Sequence, residues 1–425
     1  MTNKNQHQSH TQQKPKALLA YLAWFTCALF FFYQYILRVA PGVMIDELRH
    51  EFSLTAQQFS TLGVYFLLAY SLLQIPLGAF VDRFGVRLMI TISVVLCIAG
   101  TILLWAAQSF YIAQCSRILV GTGSATAFMC ALKITADYFP EGRRGLLMGM
   151  TLSLGTVGAL TAGKPLVILL DSIGWRPTVL LSGLLGLPLV LMAVLLLPGK
   201  QSHTLQPQSS LRETGLQILE IIKNRRIMLY ALLAIGLYTP LAALADLWGT
   251  AFLMQKFSLP RADAAQTSMM MYLGMAAGSL LLPWLCEKYN ILNRSIQVCG
   301  FALLALFAII LYGPAVNLSV LVILLLSLGF FCGAEMMCFT GAVQYTTPQS
   351  SGLTLGVVNT MNMLGGAILQ FVIGFGLDWQ WQGLLDEYDI RVYSTEEFVF
   401  ALTALLIVMV LCCWASLSFN GKKGK

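Results

Sequence analysis

The sequence predicts an all-α integral membrane protein with twelve transmembrane helices in two six-helix, pseudo-symmetric bundles. Three observations carry this. Of 425 residues, 57% are hydrophobic and only 11% are charged, whereas an average soluble domain carries about 25% charged residues. The mean hydropathy is +0.75. The apolar residues gather into twelve long runs, each near the length of about 20 residues that a bilayer-spanning helix needs. Continuous apolar runs exclude the alternating pattern of a membrane β-barrel. The composition excludes most soluble enzymes, disordered chains and secreted disulfide scaffolds.

Each element follows in order. Residues 1–16 are polar, end in Lys14-Pro15-Lys16, and read as a tail with no signal-peptide core. The first bundle, 17–197, holds runs at 17–45, 58–80, 88–107, 111–139, 146–170 and 177–197. The longest polar interruption, 198–226, reads as a cytoplasmic linker. It opens with Pro198-Gly199-Lys200, continues Gln/Ser-rich, and ends in an amphipathic piece at 211–226. The second bundle, 227–419, holds runs at 227–254, 267–285, 295–312, 318–345, 353–377 and 398–419, and 420–425 is a basic tail.

Charge gives the orientation. The side holding both termini and the even-to-odd connections collects 17 basic and 5 acidic residues, and the other side 5 basic and 11 acidic. The positive-inside rule therefore places both termini in the cytoplasm. The net charge of +7 reflects topology and implies no nucleic-acid partner. The ten cysteines lie in or beside apolar runs without metal-ligand spacing, so they read as packing residues. No motif implies a cofactor or metal, and no Walker motif or catalytic triad implies a pump or an enzyme.

Seven charged residues remain inside the runs: Arg38, Arg117, Lys133, Lys164, Asp137, Asp246 and Glu335. Ionisable groups at membrane depth are costly and mark functional sites by default. Between the second and third runs stand Gly78, Asp82, Arg83, Gly85 and Arg87, with the spacing G-x-x-x-D-R-x-G-x-R. A degenerate copy, containing Glu287 and Lys288, follows 205 residues later, between the eighth and ninth runs. That offset is an internal repeat. It maps Arg38 to position 243, three residues from Asp246, and Lys133 to 338, three residues from Glu335. Bases in the first half thus stand at depths similar to acids in the second.

The charged turn, its spacing and its place between runs two and three resemble the loop signature of the major facilitator superfamily. Arg117 followed by Gly121 and Gly123 is similar to its fourth-span arginine signature, which the superfamily links to proton coupling or to helix packing. The fifth-span antiporter signature is not cleanly present around Gly155, Gly158 and Gly163, which favours uptake. The resemblance implies two bundles rocking around a cavity lined by spans 1, 4, 7 and 10. Tyr35 and Arg38 are similar to the first span of organic-anion and organophosphate members. In the fourth span, the resemblance places Lys133 and Asp137 where organophosphate members have an arginine and a histidine, respectively. The stretch from Gln34 to Met44 also resembles phagosomal amino-acid transporters of intracellular bacteria.

Two arrangements of the charges are open. A small zwitterion can bridge the cavity, its carboxylate on Arg38 or Lys133 and its ammonium on Glu335 or Asp246. Alternatively Arg38–Asp246 and Lys133–Glu335 pair with each other as gates. In either, a moving partner switches a buried carboxyl between protonation states, which makes Glu335 and Asp246 the proton-coupling candidates, with Asp137 and Arg117 behind them. Tyr35, Gln34 and Tyr238 are candidate lining. Lys164, Asn359 and Asn362 are possible cavity residues, although Lys164 can also snorkel outward and Asp137 can serve only as a partner of Lys133 or of Arg143. Gly78 is expected to allow close helix approach, and the G-x-x-x-G pairs to be close-packing sites that let the halves slide.

The expectation is a monomeric, proton-coupled symporter of the bacterial inner membrane for an amino acid or similar zwitterion, with lipid, protons and a small solute as its partners. The rivals are an organic-anion carrier, an exporter of a siderophore or drug, and a transporter-like sensor that does not carry.

Overall fold

The computed structural model describes residues 17–199, 211–347 and 350–418, so the expected tails at 1–16 and 420–425 and part of the linker lie outside them. Twelve helices are long and apolar enough to cross a membrane. Spans 1 to 6 are Ala17–Val43, Ala56–Gly78, Val86–Trp105, Phe110–Tyr138, Glu141–Ile173 and Trp175–Leu196. Spans 7 to 12 are Arg225–Phe257, Arg261–Tyr289, Leu292–Tyr312, Leu318–Val343, Ser351–Gln380 and Thr395–Ser416. The described residues contain no strand, only an isolated bridge between Leu385 and Arg391.

Backbone groups at helix ends lack intrahelical partners, and neighbouring side chains supply some of them. Thr55 with Gln58 and Ser394 with Glu397 form capping boxes that open spans 2 and 12. Asn224 and Asn317 cap spans 7 and 10. Gly85, at φ 80°, makes the sharp corner between spans 2 and 3. Several helices run past the apolar limits expected from sequence. Span 8 starts at Arg261 rather than 267, and span 5 at Glu141 rather than 146. Charged residues end an apolar run without ending a helix whose last turns lie in the headgroup zone. The amphipathic end of the linker is a helix, Leu211–Lys223.

Three spans that carry buried charges, 4, 7 and 10, are irregular, whereas span 1, which carries Arg38, is one continuous helix. Span 4 breaks between Ser124 and Thr126. Span 10 breaks between Cys332 and Glu335, placing Glu335 in the first turn of a new segment. Span 7 widens into a π-helix over Leu241–Trp248, directly after Pro240. Proline has no N–H to continue the α ladder, and such wide turns gather at functional sites.

The first six spans meet the last six chiefly where span 2 packs on span 11, span 5 on span 8, and span 1 on span 7. A Cβ on Gly374 in span 11 would lie 2.7 Å from the Ala56 carbonyl oxygen of span 2. The Gly274/Gly278 and Gly329/Gly333 pairs lie elsewhere: they interlock spans 8 and 10 within one half, backbone against backbone. There they fix a pair of helices and do not form a sliding seam between halves. Gly78 has open space where a Cβ would stand, so it permits no close approach, contrary to expectation.

Candidate functional site

The central cluster is built by spans 1, 7 and 8. The Arg38 guanidinium donates to Asp246 Oδ2 from Nη2 at 2.6 Å and from Nε at 3.1 Å. It also donates to the Tyr238 hydroxyl. The other Asp246 oxygen accepts from the Tyr272 hydroxyl. Tyr35 sets its ring edge against Tyr272 at 5.3 Å and lies 5.7 Å from the Arg38 guanidinium. Arg38 and Asp246 are 6% and 4% exposed. The pair forms because Gly42 lets span 1 touch the wide turn of span 7: a Cβ there would lie 2.7 Å from the Asp246 carbonyl oxygen. An ion pair thus ties one half to the other at mid-molecule, with both carboxylate oxygens engaged.

Arg117 lies behind this cluster. It donates to the carbonyls of Leu37 at 2.9 Å, Arg38 at 3.2 Å and Leu62 at 3.2 Å, and stacks 4.8 Å from the centre of the Phe66 ring. It therefore ties spans 1, 2 and 4 together through backbone oxygens and touches no carboxylate. Gln34 is buried, with its Oε1 lacking a partner among the described residues.

Glu335 is separate from Arg38. Its Oε2 accepts from Asn362 Nδ2 at 2.9 Å, and both residues are buried. The expected Lys133–Glu335 pair does not form. Lys133 instead reaches Asp82 at 2.9 Å and Asp137 at 3.7 Å, on the face where the termini lie. A lysine chain is long enough to leave the span, and the repeat arithmetic matches depth without fixing the helix face. The charged stretch is helical on both sides of Gly85, with Asp82 and Arg83 ending the helix Ala56–Phe84 and Arg87 in the first turn of span 3. Arg87 donates to the Leu197 carbonyl at 2.6 Å, and Arg83 stacks on Phe84. Asn359 is half-buried.

Lys164 does not join the cluster either. It pairs with Asp263 at 3.1 Å, half-exposed, on the face opposite the termini. That face carries a set of contacts between the halves that the sequence did not reveal. Arg261 grips Glu47 with two bonds, of 2.7 and 2.6 Å, and the Val43 carbonyl with a third. Asp378, at the end of span 11, accepts from the N–H groups of Ala56 and Gln57 at 3.2 and 2.8 Å, capping span 2 from the other half. Arg391 and Tyr393 hold Asp378 in place.

Arg49, 8% exposed, donates to the Arg391 carbonyl at 2.6 Å and lies over Tyr393. His50 meets Asp386 at 3.2 Å. Burial raises the Asp386 carboxyl, but the N–H groups of Ile390 and Tyr388, with His50 and Arg49, outweigh it and hold it below its ordinary value. Among the described residues, each ion pair between the halves lies either at the central cluster or on this opposite face.

Tyr272, Gln370 and Asp378 went unmarked in the sequence. Tyr272 and Gln370 carry no charge that would mark them inside an apolar run, and Asp378 counted only as one of the acidic residues of its side. An acid one turn from a span end, opposite the start of another span, is the signal that points to a capping contact.

Residues 23–369 match the sequence profile of the Major Facilitator Superfamily. The chain is 31% identical over 149 residues to an uncharacterized transporter of Bacillus subtilis, YybO, a match spanning 35% of this chain and about a third (34%) of that protein. It is 25% identical over 318 residues to a probable L-galactonate transporter of Escherichia coli, covering 70% of this chain and 69% of that one. Its fold is similar to the crystal structure of a bacterial homolog of the human lysosomal transporter Spinster in an inward-facing, unoccupied conformation, with a TM-score of 0.78 at 17% identity, covering 96% and 99% of the two chains. Twelve spans, paired bundles and a charged mid-membrane seam therefore belong together: this chain is a multi-pass membrane protein of the Major Facilitator Superfamily, a family of secondary transporters of small molecules.

Proposed function

We propose that this chain is a proton-coupled uptake carrier for a small organic anion bearing a carboxylate, in a bacterial inner membrane with both termini in the cytoplasm. The observation that carries the reading is the Arg38–Asp246 pair across the halves. A substrate carboxylate matches the guanidinium fork as well as Asp246 does. Its arrival displaces Asp246, which then takes a proton or keeps only Tyr272. Similarity to a probable L-galactonate transporter supports a carboxylate substrate, since galactonate is a sugar acid. With the orientation given by the positive-inside rule, the stitched face is extracytoplasmic and the carrier is closed to the outside.

A second reading, an amino acid or similar zwitterion, draws on Glu335. This buried carboxylate is bonded to Asn362 and forms no ion pair among the described residues, which supports a seat for an ammonium. Uptake into proteoliposomes of labelled L-galactonate and labelled amino acids, with and without an inward proton gradient, separates the two. Gradient-driven accumulation of the sugar acid bears out the first reading, and accumulation of amino acids alone the second. No accumulation of either class, with no counterflow, overturns both readings. With Glu335 as a proton-coupling residue for the sugar acid, Glu335→Gln is expected to lose gradient-driven accumulation and retain counterflow; with Glu335 as the ammonium seat of an amino acid, both are lost, and both unchanged would make Glu335 structural.

A further inference from the structure

Asp246 sits in the middle of the wide stretch of span 7, Leu241–Trp248. Two carbonyls of that stretch accept side-chain donors. Gln370 Nε2 of span 11 donates to Ala242 O at 2.7 Å, and Ser268 Oγ of span 8 to Leu244 O at 3.1 Å. The Gln370 backbone carbonyl in turn accepts the Trp248 indole N–H at 3.4 Å. Gln370 therefore grips the stretch at residues 242 and 248, on either side of Asp246. It is 1% exposed, and its Oε1 has no partner among the described residues.

The first half presses on this grip. A Cβ on Gly63 of span 2 would overlap Gln370 Oε1 and lie 3.2 Å from Leu247 Cδ2. A buried amide oxygen without a donor costs free energy, so the side chain holds this pose only while its surroundings confine it. Span 2 supplies that confinement, and span 2 belongs to the half that moves against span 11.

We infer that Gln370 is a positioning residue: wedged by Gly63, it clamps the wide turn that aims the Asp246 carboxylate at Arg38, and it releases that turn when spans 2 and 11 part. This rests on the reading that Asp246 takes part in coupling. A turn freed from the clamp interconverts between the wide form and one tightened toward 3.6 residues, opening its backbone hydrogen bonds at each change and rotating Asp246 off the Arg38 side of the helix. Relative motion of the halves becomes a change of partner for one carboxylate.

Amide hydrogen exchange on the full-length protein in lipid nanodiscs tests this. Gln370→Leu keeps the volume and removes the donor. Exchange at 241–249 is expected to speed up about tenfold, with spans 3 and 9 unchanged. Gln370→Glu, in its protonated form, retains an O–H donor of the same reach. Its rate at 241–249, relative to wild type at the same pH, is expected to fall back toward one as the medium is acidified. Unchanged exchange in Gln370→Leu, equal loosening throughout the second half, or a ratio in Gln370→Glu that stays as high as that of Gln370→Leu in the most acidic medium each overturn the inference. The readout needs no substrate, so it stands or falls separately from proton-driven uptake.

Discussion

At the level of single residues, Arg38 and Asp246 form a buried pair whose two members depend on one another. Removing one partner leaves the other charge desolvated and uncompensated, at a cost of about 3–5 kcal/mol, while replacing both with apolar residues of similar volume is often neutral. Arg38→Met is therefore expected to lower the thermal unfolding midpoint markedly, and Arg38→Met combined with Asp246→Leu to recover most of the loss. A double variant as unstable as Arg38→Met would mean that Arg38 contributes mainly through Tyr238 and its packing. These two residues were legible in the sequence because a charge inside an apolar run stands out. Their neighbours were not. Tyr272 and Gln370 look like any other polar residue in a span, and only the wide turn beside them shows why they are buried. Lys133 was legible as a charge at depth but not as a partner, since its flexible chain selects Asp82 from a turn outside the apolar run.

Among the elements, the pairing of spans 8 and 10 depends on glycines that meet backbone to backbone. A Cβ at Gly278 would overlap the Phe330 carbonyl, whereas one at Gly145 meets nothing within 4 Å. Overpacking of this kind costs about 1–3 kcal/mol, and a helical Gly→Ala change with room to spare stabilises by about 0.4–1 kcal/mol. Gly278→Ala is thus expected to destabilise the protein and Gly145→Ala to stabilise it slightly, measured as unfolding midpoints in the same detergent. Equal effects would show that the close approach is not what Gly278 provides. The sequence marked both positions with the same G-x-x-x-G spacing. Spacing reports that two glycines share a helix face; it does not report what that face meets. Helix existence was legible for the opposite reason: lipid requires about 20 apolar residues per span, and a requirement that strict is written into composition.

For the molecule as a whole, the two halves differ in how they are fastened. The first half carries an internal staple, Asp82 to Lys133. The repeat-related Glu287 makes no ion pair among the described residues. The repeat was legible in sequence, but this asymmetry needed coordinates, because a pair depends on where a distant lysine ends. Between the halves, Arg261 makes the densest single contact, bidentate to Glu47 with a bond to Val43. Arg261→Ala is expected to shift the population toward forms open on that face, read as a longer, broader distance between spin labels at the ends of spans 1 and 8. An unchanged distance distribution would assign the closure to the capping of span 2 by Asp378 and to the apolar packing of spans 2 and 11.

The position of those fasteners has a consequence for the medium. Lys164–Asp263 is half-exposed and His50–Asp386 partly exposed, and mobile ions weaken such pairs: the screening length falls from about 10 Å at 0.1 M to about 3 Å at 1 M. The Arg38–Asp246 pair is sealed from ions by burial. Higher salinity on the side of the exposed pairs alone is then expected to bias the resting carrier toward forms open there, in the absence of any substrate.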